Sequence, residues 1–289
     1  MEVKFSMARV AKTSNRDSTG GASRPRKIPR ASELPDAASA SMMALTPPTL
    51  EVLHKLGEQQ IVVGVDIETA DWETGSTSLH KGAFGFFNLC RPEVFEQRVV
   101  QLGWAIGDLN ESSALHEYKE ITIRPSGFEI STKAANLHGV TQSHALEVGV
   151  PLREALIEFM EAMQRANDAG GRVVIHHLEF DAGILARELS NAGLENYVPI
   201  WREIAQQGFC TMDPEVCRWA QVCHGRVFQQ HESDNIMTLG KLLKLLLPSN
   251  ETVKELVSSK RLHAAGEDSQ AHRLVYVALR RLADKAAAS

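Results

Sequence analysis

Apolar and polar positions divide this chain into stretches of changing period. "IVVGVDIE", Ile61 to Glu68, is a nearly continuous apolar run up to Asp66, the pattern of a buried strand. "RVVQLGWAIGD" (Arg98–Asp108) and "HEYKEITIRP" (His116–Pro125) are rich in β-branched and aromatic residues and predict two more strands. Then the period lengthens. After Pro151, a favoured first-turn residue, Leu152, Leu156, Phe159, Met160 and Met163 recur at helical spacing. "GRVVIHHL" predicts another buried strand, with a helix after it from about Asp181 to Asn191. "DNIMTLGKLLKLLLP" predicts a helix that stops at Pro248, and a last helix is expected from about Glu267 to Lys285. "TPPTLEVLHKLGEQQ" is a short helical lead-in. Strands first and helices after, with a βαβ-like middle, predict an α/β domain.

Residues 1–45 break from this pattern. They are rich in Ser, Ala, Arg and Pro, lack hydrophobic periodicity, and are expected to be a disordered tail ahead of a domain over 46–289. Between the first two strands, from about 70 to 97, lies a connection too long for a hairpin. It holds Phe84, Phe86 and Phe87, which suit base stacking, a cap, a partner surface or simple anchoring to the core.

Composition narrows the class. With 43% hydrophobic and 23% charged residues the chain is of the soluble globular type. No apolar run approaches the ~20 residues that span a bilayer, so no membrane partner is expected. Four cysteines in 289 residues suggest reduced thiols and an intracellular protein. The total charge of −5 is unevenly spread: the tail has eight Lys or Arg against four Asp or Glu, a balance of +4, which leaves −9 for the body. An acidic body argues against wrapping long nucleic acid but suits an acidic metal site. "SRPRKIPR" in the tail suggests a nuclear signal, and its Arg/Ser richness an organelle transit peptide, although Glu2 and Asp17 oppose the latter. Otherwise the tail is a solvated segment and the location cytoplasmic.

Candidate chemistry begins at Asp66 and Glu68. Side chains alternate along a strand, so both acids share one face. Solvated acids at a strand end are the ordinary explanation. Two further acids sit at the inward end of apolar elements. Asp181 precedes Ile184, Leu185 and Leu189 on one helical face, and Asp268 precedes the stripe Ala271, Leu274, Val275, Ala278 and Leu282. Either could serve as a helix cap or first-turn acid. Four converging carboxylates would need divalent cations, and oxygen donors suit Mg²⁺ or Mn²⁺. Two such ions stabilise the attacking and leaving oxygens of a phosphodiester displacement. His263, five residues before Asp268, has the chemistry to take a proton from water near neutral pH.

"VDIET", "HHLEFD" and "HAAGED" resemble the three motifs of the DEDDh (DnaQ-like) 3′→5′ exonucleases, over about Ile61 to Leu282. "ISTKAANLHGVT" (Ile130–Thr141) is similar to that family's segment beside the substrate's 3′ end. The resemblance implies a ribonuclease H-like fold, a mixed five-stranded sheet flanked by helices. It implies two Mg²⁺ or Mn²⁺ held by Asp66, Glu68, Asp181 and Asp268, and His263 as general base. It implies that Thr69, Ala70, Leu137 and His138 line the pocket for the terminal nucleotide, with Leu137 as an apolar wedge. An ordinary core leucine and a structural histidine are the alternatives at Leu137 and His138. The expected substrates are single-stranded or frayed 3′ ends, DNA favoured and RNA possible, with nucleoside 5′-monophosphates released. The 70–97 insertion or the tail offers room for a protein partner, and oligomeric state is open.

Two departures stand out. His177 replaces the Asn of the family pattern His-Asn-Ala-x-Phe-Asp, and Cys210-Thr211 stands where Asp-Thr is common. Cys210, Cys217, Cys223 and His224 also form a candidate zinc group, but their spacing lacks the short Cys-x₂₋₄-Cys pair, so buried free thiols are expected. The functional alternatives are an RNA 3′-end trimming exonuclease and a non-catalytic module that binds nucleic acid or protein on the same scaffold.

Overall fold

The computed structural model describes residues 47–71, 97–110, 115–226, 237–258 and 262–288. The basic tail and the phenylalanine-rich part of the insertion lie outside these residues. α1 (Pro47–Leu56) leads into β1 (Ile61–Thr69), β2 (Val99–Asp108) and β3 (Glu117–Thr122). Two short helices, α2 (Thr132–His138) and α3 (Gln142–Val148), precede the long α4 (Leu152–Asp168). Next come β4 (Arg172–Ile175), α5 (Leu178–Asn191), α6 (Tyr197–Gln206), β5 (Phe209–Cys210) and α7 (Pro214–Cys223). α8 (Leu239–Leu246), α9 (Glu251–Ser258) and α10 (Ala265–Ala287) complete the order.

The five strands form one mixed sheet in the order β3-β2-β1-β4-β5. β1 is antiparallel to β2 and parallel to β4, and β4 is parallel to β5. Its two faces carry different layers. Val63, Val65 and Ile67 of β1 join the core built with Phe159, Met160 and Met163 of α4 and Ile184, Leu185 and Leu189 of α5. Trp104, Phe159 and Trp201 meet edge-to-face there, with ring centroids 5.8 and 5.1 Å apart. Val62 and Val174 face the other way and pack with Leu274, Val275, Tyr276 and Leu279 of α10. Asp66 and Glu68 share the parity of Val62, so β1 points its acids towards α10.

α10 lies unusually close to the sheet. A Cβ added to Gly64 would stand 1.8 Å from the carbonyl oxygen of Ser269, and one on Gly103 2.2 Å from the carbonyl carbon of Ala265. Only hydrogens at these positions let the helix sit down on β1 and β2. The sheet also caps the helix. Ala265 N–H donates to Gln101 Oε1 at 2.8 Å and Gly266 N–H to Glu120 Oε2 at 3.0 Å. These are orphan first-turn donors satisfied from β2 and β3, and the helix opens at Ala265, two residues before the expected start at Glu267.

Other expectations meet similar corrections. α5 starts at Leu178, three residues before Asp181, because Phe180 and Asp181 already donate to the His177 carbonyl. α4 opens after Pro151 with its apolar stripe inward. α8 is shorter than expected, beginning after Thr238 and ending at Leu246, two residues before Pro248. α6, α7 and β5 escape a periodicity reading. β5 has two residues, and α7 is announced only by Asp213, whose carboxylate accepts from the Glu215 and Val216 N–H groups ahead of Pro214 at the helix start. No helix among the described residues is long and apolar enough to cross a membrane.

Replacing Gly64 by alanine drives a methyl into the backbone of α10. We expect Gly64→Ala to lose about 3 kcal/mol of stability, read as a lowered midpoint in urea unfolding.

Candidate functional site

The acids meet at the C-terminal end of β1. There the register with β2 slips between Glu68 and Thr69, a bulge that bends the strand just past the second carboxylate. Asp181 arrives from the first turn of α5 and Asp268 from the first turn of α10. Glu68, Asp181 and Asp268 are 9%, 6% and 7% exposed. All four acids line one cavity of about 670 Å³. Ligand atoms of Glu68, Asp268 and His263 lie within 4.8 Å of one another.

The electrostatics of this cluster are unfavourable without a counterion. Burial first, then Asp268, Glu68 and Asp181, holds the Asp66 carboxyl well above the ordinary carboxylate range. Glu68 is raised by burial and by Asp268, Asp181 and Glu120, and Asp181 by burial and Asp268. Burial lifts Asp268 to about 7, although the His263 N–H opposes the rise. No lysine or arginine is among the described residues that line the cavity. Asp268 Oδ1 is buried and has no hydrogen-bond partner among the described residues. A carboxylate-rich donor set with an orphaned oxygen and no lysine or arginine in its described lining fits divalent ions.

His263 sits on the loop before α10 with φ +86°, a left-handed conformation that is rare outside glycine. Its backbone N–H donates to Asp268 Oδ2 at 3.1 Å, which holds the loop and leaves the ring exposed at the cavity wall. Burial nevertheless lowers its pKa from the ordinary imidazole value, which favours the neutral ring, the form able to accept a proton. Strain of this kind persists where surrounding contacts over-determine it.

The other predicted residues are distributed as follows. Thr69, Leu137 and His138 line the cavity. Leu137 is half-buried and belongs to none of the hydrophobic clusters, so the core-leucine alternative does not describe it. Ala70 is not on the cavity wall; it packs with Val100, Ile130, Ala134 and Val140. His138 accepts the Val140 N–H at Nδ1, so its Nε2 carries the proton and donates to the Thr69 carbonyl at 3.2 Å. That bond, with Ala70 N–H to Arg98 O and Ser131 N–H to Ala70 O at 2.8 Å each, pins the chain just beyond the acids.

Sequence reasoning missed an apolar half of the cavity, formed by Phe180, Met212, Met237, Leu239 and Leu262. It also missed His176 and His272, which stand behind the acids. Only the position of His272 one helical turn after Asp268 hinted at it. His177 lies flat against Phe180, centroids 5.3 Å apart. Thr211 of the Cys-Thr departure holds His176 Nδ1 at 2.8 Å. Asp71 and Gln97, at the two ends of the insertion, both line the cavity. The zinc alternative finds no support among the described residues: Cys210 and Cys217 donate to the carbonyls of His176 and Thr211, and burial pushes both thiols up to about 11.

The raised carboxyls tie stability to pH. Each binds its proton more tightly folded than unfolded, so stability falls as pH climbs from 3.8, the ordinary aspartate value, through about 7 for Asp268. Buried His176 and His272, lowered to about 3 and about 4, act in the opposite sense up to 6.5, so in chelator the melting temperature should drop at the upper end of this window, above 6.5. Mn²⁺ should restore it most at the upper end, and Asp268→Asn should flatten the slope. Differential scanning calorimetry against pH checks all three.

No family model matches the sequence, and no curated protein matches it. Solved structures are similar in fold. An exonuclease I from Methylocaldum szegediense is 17% identical with a TM-score of 0.51, over 77% of this chain and 40% of that one. E. coli exonuclease I in complex with a dA16 oligonucleotide is 15% identical with a TM-score of 0.51, over 78% of this chain and 43% of that one. The zinc-bound E. coli exonuclease I–ssDNA complex is 15% identical with a TM-score of 0.53, over 78% and 42%. The chain thus spans less than half the length of these proteins. At such identities the likeness is one of architecture: this protein has the ribonuclease H-like α/β fold of the exonuclease I structures.

Proposed function

We propose that this protein is a divalent-metal-dependent 3′→5′ exonuclease, with DNA favoured over RNA, that releases nucleoside 5′-monophosphates. One observation carries the reading: four carboxylates from three separate elements, Asp66 half-buried and the other three buried, converge in a cavity whose described lining has no lysine or arginine. The fold shared with exonuclease I supports it.

Asp66, Glu68, Asp181 and Asp268 are the residues that would hold Mg²⁺ or Mn²⁺, two ions by the resemblance. Bound there, the ions would neutralise charge on the scissile phosphate and on its attacking and leaving oxygens. Leu137 and the apolar wall take the terminal base and sugar, while the pinned Thr69 backbone borders the 3′ end. His263 takes a proton from the attacking water. The water oxygen bonds to phosphorus, and the bond from phosphorus to the 3′ oxygen of the preceding nucleotide breaks. That oxygen leaves, takes a proton from solvent and becomes a new 3′-hydroxyl, while His263 returns its proton to water and the terminal nucleotide departs with its 5′-phosphate.

The test uses the full chain with matched 5′-labelled DNA and RNA single strands. With Mg²⁺ or Mn²⁺ we expect stepwise shortening from the 3′ end, faster on DNA, and none in chelator. Combined Asp66→Ala and Glu68→Ala should abolish it; activity that survives would sink the assignment. Binding of 3′ ends without product at any metal concentration would favour the non-catalytic module. His263→Ala should slow turnover by about 10²–10⁴-fold at unchanged oligonucleotide affinity. A variant near full speed would remove His263 as the base.

A further inference from the structure

Two imidazoles line the cavity beside the acids, His176 beyond the end of β4 and His272 on α10, with centroids 6.1 Å apart and ring planes inclined by 27°. His176 bonds the Thr211 hydroxyl through Nδ1. His272 uses one nitrogen. Its Nδ1 stands 2.8 Å from the Val65 carbonyl oxygen, which can only accept, so Nδ1 carries the proton. In the neutral ring Nε2 is then a bare lone pair. That nitrogen makes no hydrogen bond among the described residues and stands 3.7 Å from Asp66 Oδ1. His272 is 1% exposed yet lines the cavity.

Two acceptors facing each other across that gap are too far apart for a hydrogen bond. They are close enough to share one ion: with bonds of about 2.1 Å, donors at this separation subtend roughly 120°, which suits a four- or five-coordinate ion better than an octahedral one. A metal-ligating imidazole ordinarily ties its other ring N–H to a backbone carbonyl or carboxylate, as Nδ1 of His272 does with Val65. Asp268 and His272 are also four residues apart, on one face of α10.

We propose that His272 is a nitrogen ligand, through Nε2, to the divalent ion held at Asp66. The proposal rests on the metal-dependent reading above and deepens it. A nitrogen donor shifts the site from the all-oxygen set that suits Mg²⁺ towards transition ions such as Mn²⁺ and Co²⁺. His272 is thus a determinant of which ion the protein takes.

His263 is the other imidazole close to the acids, so the experiment separates the two. The full-length protein is loaded with Mn²⁺ and nitrogen coupling to the ion is read by pulsed electron paramagnetic resonance. The coupling should persist in His263→Ala and vanish in His272→Gln, whose amide still has a donor for the Val65 carbonyl. Calorimetric titration should show Mn²⁺ affinity falling about tenfold or more in His272→Gln, with Mg²⁺ affinity changing less. Coupling that persists in folded His272→Gln, or that is absent from Mn²⁺-loaded His263→Ala, overturns the proposal. If His272→Gln does not fold, the His263→Ala result decides alone. A wild-type protein that takes up neither ion removes the metal-dependent reading itself, an outcome distinct from Mn²⁺ uptake without coupling.

Discussion

The site depends on the closeness of α10 to the sheet. Gly64 and Gly103 present no side chain where Ser269 and Ala265 pass. The helix axis therefore sits nearer β1 and β2 than a larger residue would permit, and Asp268 is delivered to within reach of Asp66 and Glu68. The first-turn N–H groups of α10 find acceptors on Gln101 and Glu120, so the approach leaves those donors satisfied. Packing and capping are one device here. The same strands that accept the helix carry or flank the acids.

That closeness creates an electrostatic problem that the described residues leave unsolved. Four carboxylates are crowded into a poorly solvated pocket, and their mutual repulsion adds to the cost of burial. The neighbouring polar groups are bonded elsewhere: His138 to Thr69 and Val140, His176 to Thr211, and one Asp268 oxygen to His263 N–H. Among the described residues Asp268 Oδ1 has no hydrogen-bond partner and His272 Nε2 has only Asp66 Oδ1, 3.7 Å away; both residues line the cavity. A stable core does not gain from such an arrangement. It is the kind of local conflict that an ion resolves and that function explains.

The cavity lining joins carboxylates and imidazoles to the apolar side chains of Leu137, Phe180, Met212, Met237, Leu239 and Leu262. Under the proposed function such a mixed lining suits a nucleotide, whose phosphate is charged and whose base is flat and largely apolar, and flexible methionines suit bases of differing shape.

The sequence by itself determined the buried strand ending in Asp66 and Glu68, because alternation along a strand depends on chemistry one residue apart. It also determined the inward faces of α4 and α5, where helical spacing is local. The bonding of the cysteines, the helix starts and the surroundings of the histidines emerge only in three dimensions. α10 opens at Ala265 because acceptors come from strands more than a hundred residues away, which no local pattern records. β5 is two residues long, too short to show a period. His272 resembles any polar residue on a buried helix until Val65 O is found against one nitrogen and Asp66 against the other. Leu137 is indistinguishable from a core leucine until the folded chain leaves it on a cavity wall. Local periodicity follows from covalent geometry, whereas the pairing of a lone donor with a distant acceptor follows only from the tertiary fold.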